Sequence, residues 1–198
     1  MSAPFDRPRI EAAVLEILQA IGDDPERPGL ADTPRRVADA YEEFFGGLGV
    51  DPHALLAKAV VPADDGQRGE LVIVRDIEFR SVCEHHLLPF LGVAHVAYVP
   101  GAKIVGLGRI PGLVDALASR PMLQERLGEE IAEALQEGVE PAGVLVVLDA
   151  VHGCVTTRGA RQTRSSTVTI ASRGALSEPA ARAEAISLIG VRQRGERS

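Results

Sequence analysis

Residues Cys83, Glu84, His85 and His86 set a thiol, a carboxyl and two imidazoles in succession, in a chain that has two cysteines and five histidines in all. A hydrophobic core would have to give every one of these polar atoms a partner. The other cysteine, Cys154, lies in a second such stretch, Ala150-Val151-His152-Gly153-Cys154. Cys83 and His86 are three apart, so on a helical turn they share a face, with Glu84 and His85 displaced from it. If the second stretch is a strand running through Cys154, His152 and Cys154 point to the same side of the sheet. Thiolate and imidazole are the ligands Zn²⁺ prefers.

Each cluster alone has a plainer reading, since a free cysteine usually packs as a small buried hydrophobe. Two clusters, each pairing a cysteine with a histidine, favour a shared metal site. Cys83, His86 and Cys154 make three ligands and leave one tetrahedral position open, as in catalytic rather than structural zinc. His85 and His152 are then unligated imidazoles beside the metal, suited to proton transfer near neutral pH. His53 and His95 have no such company, and His95, set among Val and Ala, reads as structural.

Between His152 and Arg173 stand Arg158, Arg161, Arg164 and Arg173, with no Asp or Glu. Guanidinium groups offer fixed charge and forked donors suited to phosphate. A basic loop is as often a solvated face, but its adjacency to Cys154 points to an anionic substrate. The glycine-rich segment 106–112, GLGRIPG, is neither a P-loop nor a dinucleotide-binding fingerprint.

Positioning these groups falls to elements legible from periodicity. Residues 8–21 carry Ile10, Ala13, Val14, Ile17, Leu18 and Ile21 on one helical stripe. Thr33-Pro34 reads as an N-cap followed by proline at the first helical position. The helix it opens bears Val37, Tyr41, Phe44 and Phe45 and stops at Gly46-Gly47. From about residue 70 the text turns strand-like, in 70–79 and 91–100. Residues 120–139 read as a helix with Leu123, Leu127, Ile131, Ala134 and Leu135 on one face. Residues 143–155 and 165–172 return to strand, and 177–190 closes with a helix. The expected fold class is α+β, with residues 1–65 an N-terminal helical segment and 66–198 the catalytic domain.

A length of 198 residues suits one domain with such an appended segment. The net charge of −7 argues against nucleic acid or an anionic membrane as partner. The opening MSAPFDRPRIEAAV turns amphipathic at once instead of forming a basic-then-apolar leader. Two cysteines cannot build a disulfide framework, so the expected compartment is the cytoplasm.

In that order, CEHHLLPF, GVAHVAYVP, RPMLQERL, DAVHGCVTTRG and STVTI resemble the GTP cyclohydrolase I family, and LADTPRRVADAY resembles its helical segment. The resemblance covers nearly the whole chain. It implies a T-fold, an antiparallel sheet with a helix pair on one face, and a homodecamer with active sites between subunits. It also implies that the guanine imidazole ring of GTP is opened at C8 with loss of formate. The ring then recloses as 7,8-dihydroneopterin triphosphate, the entry to tetrahydrofolate and pterin synthesis. By the same resemblance Cys83, His86 and Cys154 hold Zn²⁺. His152 protonates the purine, and His85 shuttles protons. Glu125, with Gln124 beside it, recognises guanine. Arg158 binds the triphosphate, and Arg36 reaches a neighbouring subunit's site.

One loop departs from the family pattern. The usual G-L-S-K is Gly106-Leu107-Gly108-Arg109 here, and Gly112 stands where an arginine is expected. Arg109 keeps the charge with another geometry, while Gly112 loses a cation. Pro111 is expected to delay or bend the helix that follows. The departure leaves two alternatives to GTP hydrolysis: another purine nucleotide as substrate, or a non-catalytic zinc-binding subunit.

Overall fold

The structure is a computed structural model describing residues 5–57 and 59–190. Residues 1–4 of the opening stretch and residues 191–198 lie outside it. Two helices come first, α1 (Arg7–Ala20) and α2 (Thr33–Phe44), packed on each other. Arg7 of α1 ties them by pairing with Asp39 and Glu42 of α2. Of the expected apolar stripe on α1, Val14 and Leu18 are buried, whereas Ile17 and Ile21 are 58% and 70% exposed. Asp32, not Thr33, occupies the N-cap of α2; Thr33 is already helical, with Pro34 behind it in the first turn.

A short helix α3 (Pro52–Ala57) leads to β1 (Val60–Pro62). Then come β2 (Val72–Cys83), β3 (Pro89–Val99), β4 (Lys103–Val105) and α4 (Arg109–Ala118). β5 (Pro121–Met122) precedes α5 (Gln124–Val139). β6 (Gly143–His152), α6 (Gly153–Thr156), β7 (Thr167–Gly174) and α7 (Pro179–Ile189) complete the order. The main sheet has the order β5-β2-β3-β6-β7, antiparallel throughout β2-β3-β6-β7 and parallel where β5 joins β2. β1 and β4 form a separate antiparallel pair that the sequence reading did not separate out, and this pair bridges the expected boundary at 65/66.

Alternation along the strands divides the core in two. Ala94, Val96, Val146, Leu148 and Ala150 face α4 and α5, meeting Leu113, Leu117, Leu127, Ile131 and Leu135. Ala97, Leu145 and Val147 face the other way, onto Leu176, Ala185 and Ile189 near and within α7. The expected helix pair on one sheet face is therefore α4 with α5. The α+β class matches the sequence expectation.

Three local expectations are corrected. The helix expected over 120–139 begins at Gln124, because Pro121 and Met122 pair with Val82 and Cys83 as β5. Pro111 does not delay α4, which starts at Arg109; in the first turn its missing N–H has no helical partner to lose. The strand expected to run through Cys154 stops at His152, and Gly153 opens a single helical turn instead. Among the described residues, no helix is long and apolar enough to cross a membrane.

Candidate metal centre and catalytic cleft

Seven of the expected site residues meet at one end of the sheet because four chain segments turn there. β2 ends at Cys83, β3 begins at Pro89, β6 ends at His152 and α5 begins at Gln124. The register sets Phe90 opposite His152 across β3 and β6, and the short β5 holds the start of α5 beside Cys83.

After Cys83 the chain makes a tight turn. The N–H groups of His86 and Leu87 donate to the Cys83 carbonyl at 3.3 and 2.8 Å. The Cys83 N–H donates to Leu88 O at 2.9 Å. Leu87 closes the turn at φ 51°, a left-handed conformation uncommon for a branched side chain. Cys83 and His86 thereby share a face, as their spacing predicts, with Sγ and Nδ1 3.7 Å apart. The second cysteine arrives differently. Gly153 lies so close to β3 that a Cβ there would stand 2.7 Å from Pro89 O. This approach lets the α6 turn swing Cys154 in beside Cys83.

The donor atoms of Cys83, His86 and Cys154 all lie within 4.8 Å of one another. Ligands about 2.0–2.3 Å from a tetrahedral zinc are themselves about 3.6–3.8 Å apart, so the trio fits the ion with little adjustment. The thiol chemistry agrees. Burial pushes the Cys154 pKa up, and the neighbouring Cys83 pushes it further, against a smaller opposing effect of Arg158. A bound cation relieves this resistance to ionisation.

Around the trio is a cleft of about 420 Å³, lined also by His85, Met122, Leu123, Gln124, Glu125 and His152. That volume is in the range of small-molecule sites. His152 is half-buried; burial lowers its pKa and the Glu125 carboxylate raises it by a lesser amount. Its ring stacks on Phe90, centroids 4.7 Å apart and planes 7° from parallel, and its Nε2 lies 2.7 Å from Gln124 Oε1. His85 stands at the exposed lip, its ring centroid 6.2 Å from that of His86. Glu84 turns away to Arg126 of α5, at 2.8 and 3.2 Å.

Seven expected residues therefore converge: Cys83, His85, His86, Gln124, Glu125, His152 and Cys154. Arg158 follows α6 close enough for its charge to act on Cys154. Arg109 and Arg36 are not among the residues lining this cleft; Arg36 bonds Asp32 at 3.3 Å on α2. Phe90 and Arg126 were missed by the sequence reading. Phe90 stood at the end of the CEHHLLPF motif, one residue before the strand expected over 91–100, and its place against His152 appears with the β3–β6 register. His95 is buried on the sheet, accepting from the Asp76 N–H at 3.2 Å, in keeping with a structural part.

A family model described as GTP cyclohydrolase I matches residues 10–190. The chain is 64% identical over 186 residues to GTP cyclohydrolase 1 of Leifsonia xyli subsp. xyli, covering 94% of this chain and 96% of that one. It is 50% identical over 190 residues to GTP cyclohydrolase 1 of Streptomyces griseus, covering 95% and 92%. The same identity holds over 186 residues with GTP cyclohydrolase 1 of Halalkalibacterium halodurans, covering 93% and 97%. Among solved structures, the archaeosine synthase QueF-Like in the apo form aligns at a TM-score of 0.44 and 20% identity, covering 52% of this chain and 93% of that one. With a family model matched over most of its length and relatives at half identity or better, the chain belongs to the GTP cyclohydrolase I family.

Proposed function

We propose that the cleft opens the imidazole ring of GTP at C8, releases formate and, after ribose rearrangement, recloses the ring as 7,8-dihydroneopterin triphosphate. Both C8–N bonds are hydrolysed and ring closure returns one water, so the net reaction consumes one. The observation that carries this reading is the Cys83, His86 and Cys154 donor trio beside two unligated imidazoles and a carboxylate in one cleft.

Cys83, His86 and Cys154 would hold zinc, which when bound supplies Lewis acidity for hydrolysis at neutral pH. His152 supplies the proton that a purine nitrogen takes up as its bond to C8 weakens. His85, exposed at the lip, exchanges protons with solvent. Glu125, at the start of α5, accepts from the guanine ring N–H and exocyclic amine, a pairing that suits a carboxylate. Arg158 meets the triphosphate from its own chain. Arg109 and Arg36, away from this cleft, serve a neighbouring copy's site in a homodecamer. An edge strand β7 with exposed Val168 and Ile170 supports such assembly. The two free thiols, Cys83 and Cys154, suit the reducing cytoplasm.

The test is turnover on zinc-loaded protein, following formate and the fluorescence of the oxidised pterin, with GTP, GDP and GMP in parallel and a Cys154→Ala control. Formate and pterin from GTP, lost in the control, are expected. Formate from GDP or GMP alone would change the substrate, and silence from folded, zinc-loaded protein with all three would overturn the reading.

A further inference from the structure

Gln124 is the first residue of α5 and only 1% exposed, with its carboxamide fully engaged inside the chain. Nε2 donates to Leu148 O at 3.1 Å and Thr167 O at 2.9 Å, and lies 3.2 Å from Thr169 Oγ1. The first two acceptors are carbonyls, which have no proton to give. They fix the orientation of the amide: its NH₂ faces β6 and β7, and its Oε1 faces His152. An amide oxygen only accepts, so the 2.7 Å contact requires a proton on His152 Nε2. The Phe90 ring, stacked within 7° of parallel, fixes the plane in which that bond is made.

We propose that Gln124 is a positioning residue that holds neutral His152 as the Nε2–H tautomer, with Phe90 setting the ring plane. Gln124 is itself buried, so the Nε2 edge of the imidazole faces the protein and keeps its proton. The proton that His152 exchanges is therefore the one on Nδ1. When the imidazolium gives that proton to a purine nitrogen, the ring is left as the neutral tautomer that Gln124 already holds, and no tautomer shift interrupts turnover. The same logic operates where a fixed acceptor orients a catalytic histidine in hydrolases. This inference rests on the reading of His152 as the acid of the proposed reaction, and it moves Gln124 from contacting guanine to acting through His152.

Magic-angle-spinning NMR on sedimented, zinc-loaded protein labelled with ¹⁵N-histidine reads the tautomer directly, with His152 assigned by its loss in His152→Ala. Protonated Nε2 and bare Nδ1 are expected in the neutral ring; the opposite tautomer, or a mixture, overturns the proposal whatever any variant does. Gln124→Met keeps length and removes the acceptor. Its kcat for GTP should fall about tenfold, the scale of one lost hydrogen bond, with KM nearly unchanged. In a His152→Ala background the same substitution should cost no further activity, because the two residues act as one unit. A raised KM at constant kcat would mean that Gln124 contacts substrate, and equal losses in both backgrounds would mean that it acts elsewhere. If His152→Ala alone keeps full kcat, the acid reading fails, which the NMR result distinguishes from a failure of the tautomer lock.

Discussion

The Glu84 carboxylate takes both terminal nitrogens of Arg126, at 2.8 and 3.2 Å, and so fastens the turn that carries Cys83 and His86 to the first turn of α5. Glu84 lies between Cys83 of the donor trio and His85 in the chain, and Arg126 follows Glu125 directly. One ion pair thus sets the distance between the donor trio and the carboxylate proposed to read guanine. A second backbone link, Glu84 N–H to Met122 O at 3.2 Å, holds the same spacing.

Arg126→Gln should therefore affect the site more than the fold. Arg126 is half-exposed, and such a pair contributes at most about 1 kcal/mol to stability. Groups that orient metal ligands matter more to the metal, typically by about tenfold or more in affinity. Zinc transfer to a competing chelator should be faster in the variant by up to about that factor, with the thermal midpoint nearly unchanged. Equal transfer in both proteins would leave Glu84–Arg126 a surface pair without function.

Glu125 is the residue proposed to select guanine. A carboxylate accepting from a ring N–H and an exocyclic amine distinguishes guanine from hypoxanthine, which lacks the amine. Glu125→Gln replaces one acceptor oxygen with a donor and should raise KM for GTP about ten- to a hundredfold, the cost of a lost charged hydrogen bond. The preference for GTP over ITP should shrink with it. A variant that still separates the two nucleotides as wild type does would place guanine recognition elsewhere.

Gly112 marks the departure from the family's loop. It is exposed on α4, and a Cβ there meets nothing within 4 Å. Gly112→Arg is therefore free of steric cost, and replacing a helical glycine contributes about 0.5–1 kcal/mol of stability. If the α4 face of one copy completes the phosphate site of another, the variant should lower KM for GTP by about tenfold and leave GMP binding unaltered. Equal effects on GTP and GMP, or none on either, would detach this face from the triphosphate.

The convergence of Cys83, His86 and Cys154 was legible because cysteine is scarce here and both cysteines stand near histidines. It misplaced the path to Cys154 because the reason lies between strands: Gly153 sits against Pro89 O, and that approach follows from folding, not from local preference. Phe90 was hidden likewise, since an apolar residue announces burial and not which imidazole it will cover. The α1 stripe was legible as a pattern, yet Ile17 and Ile21 remain exposed within one chain. Periodicity declares a face apolar without saying whether its own chain covers it. The fold class survived these errors because it depends on which segments are strand and which are helix, and the apolar, β-branched runs 91–100 and 143–152 read as strands wherever their ends fall.

His95 gives the fold a pH dependence away from the cleft. Burial lowers its pKa; the carboxylates of Asp76 and, more weakly, Asp149 oppose this, while Arg75 reinforces it. Its Nδ1 accepts from the N–H of Asp76, which has φ 58° where the β2–β3 register shifts. Protonation of Nδ1 removes that acceptor at the irregularity. An unfolded histidine has a pKa of about 6.5, above the folded value, so below that pH the unfolded chain binds more protons than the folded one. Stability is then fully present above about pH 6.5 and is lost as pH falls through the folded pKa. His95→Asn keeps an oxygen near the position of Nδ1 but does not titrate. Denaturation of both proteins between pH 7.5 and about 5 should show a shallower decline in the Asn variant. Parallel curves would assign the acid sensitivity to other groups, with the half-buried His152 next to be tested.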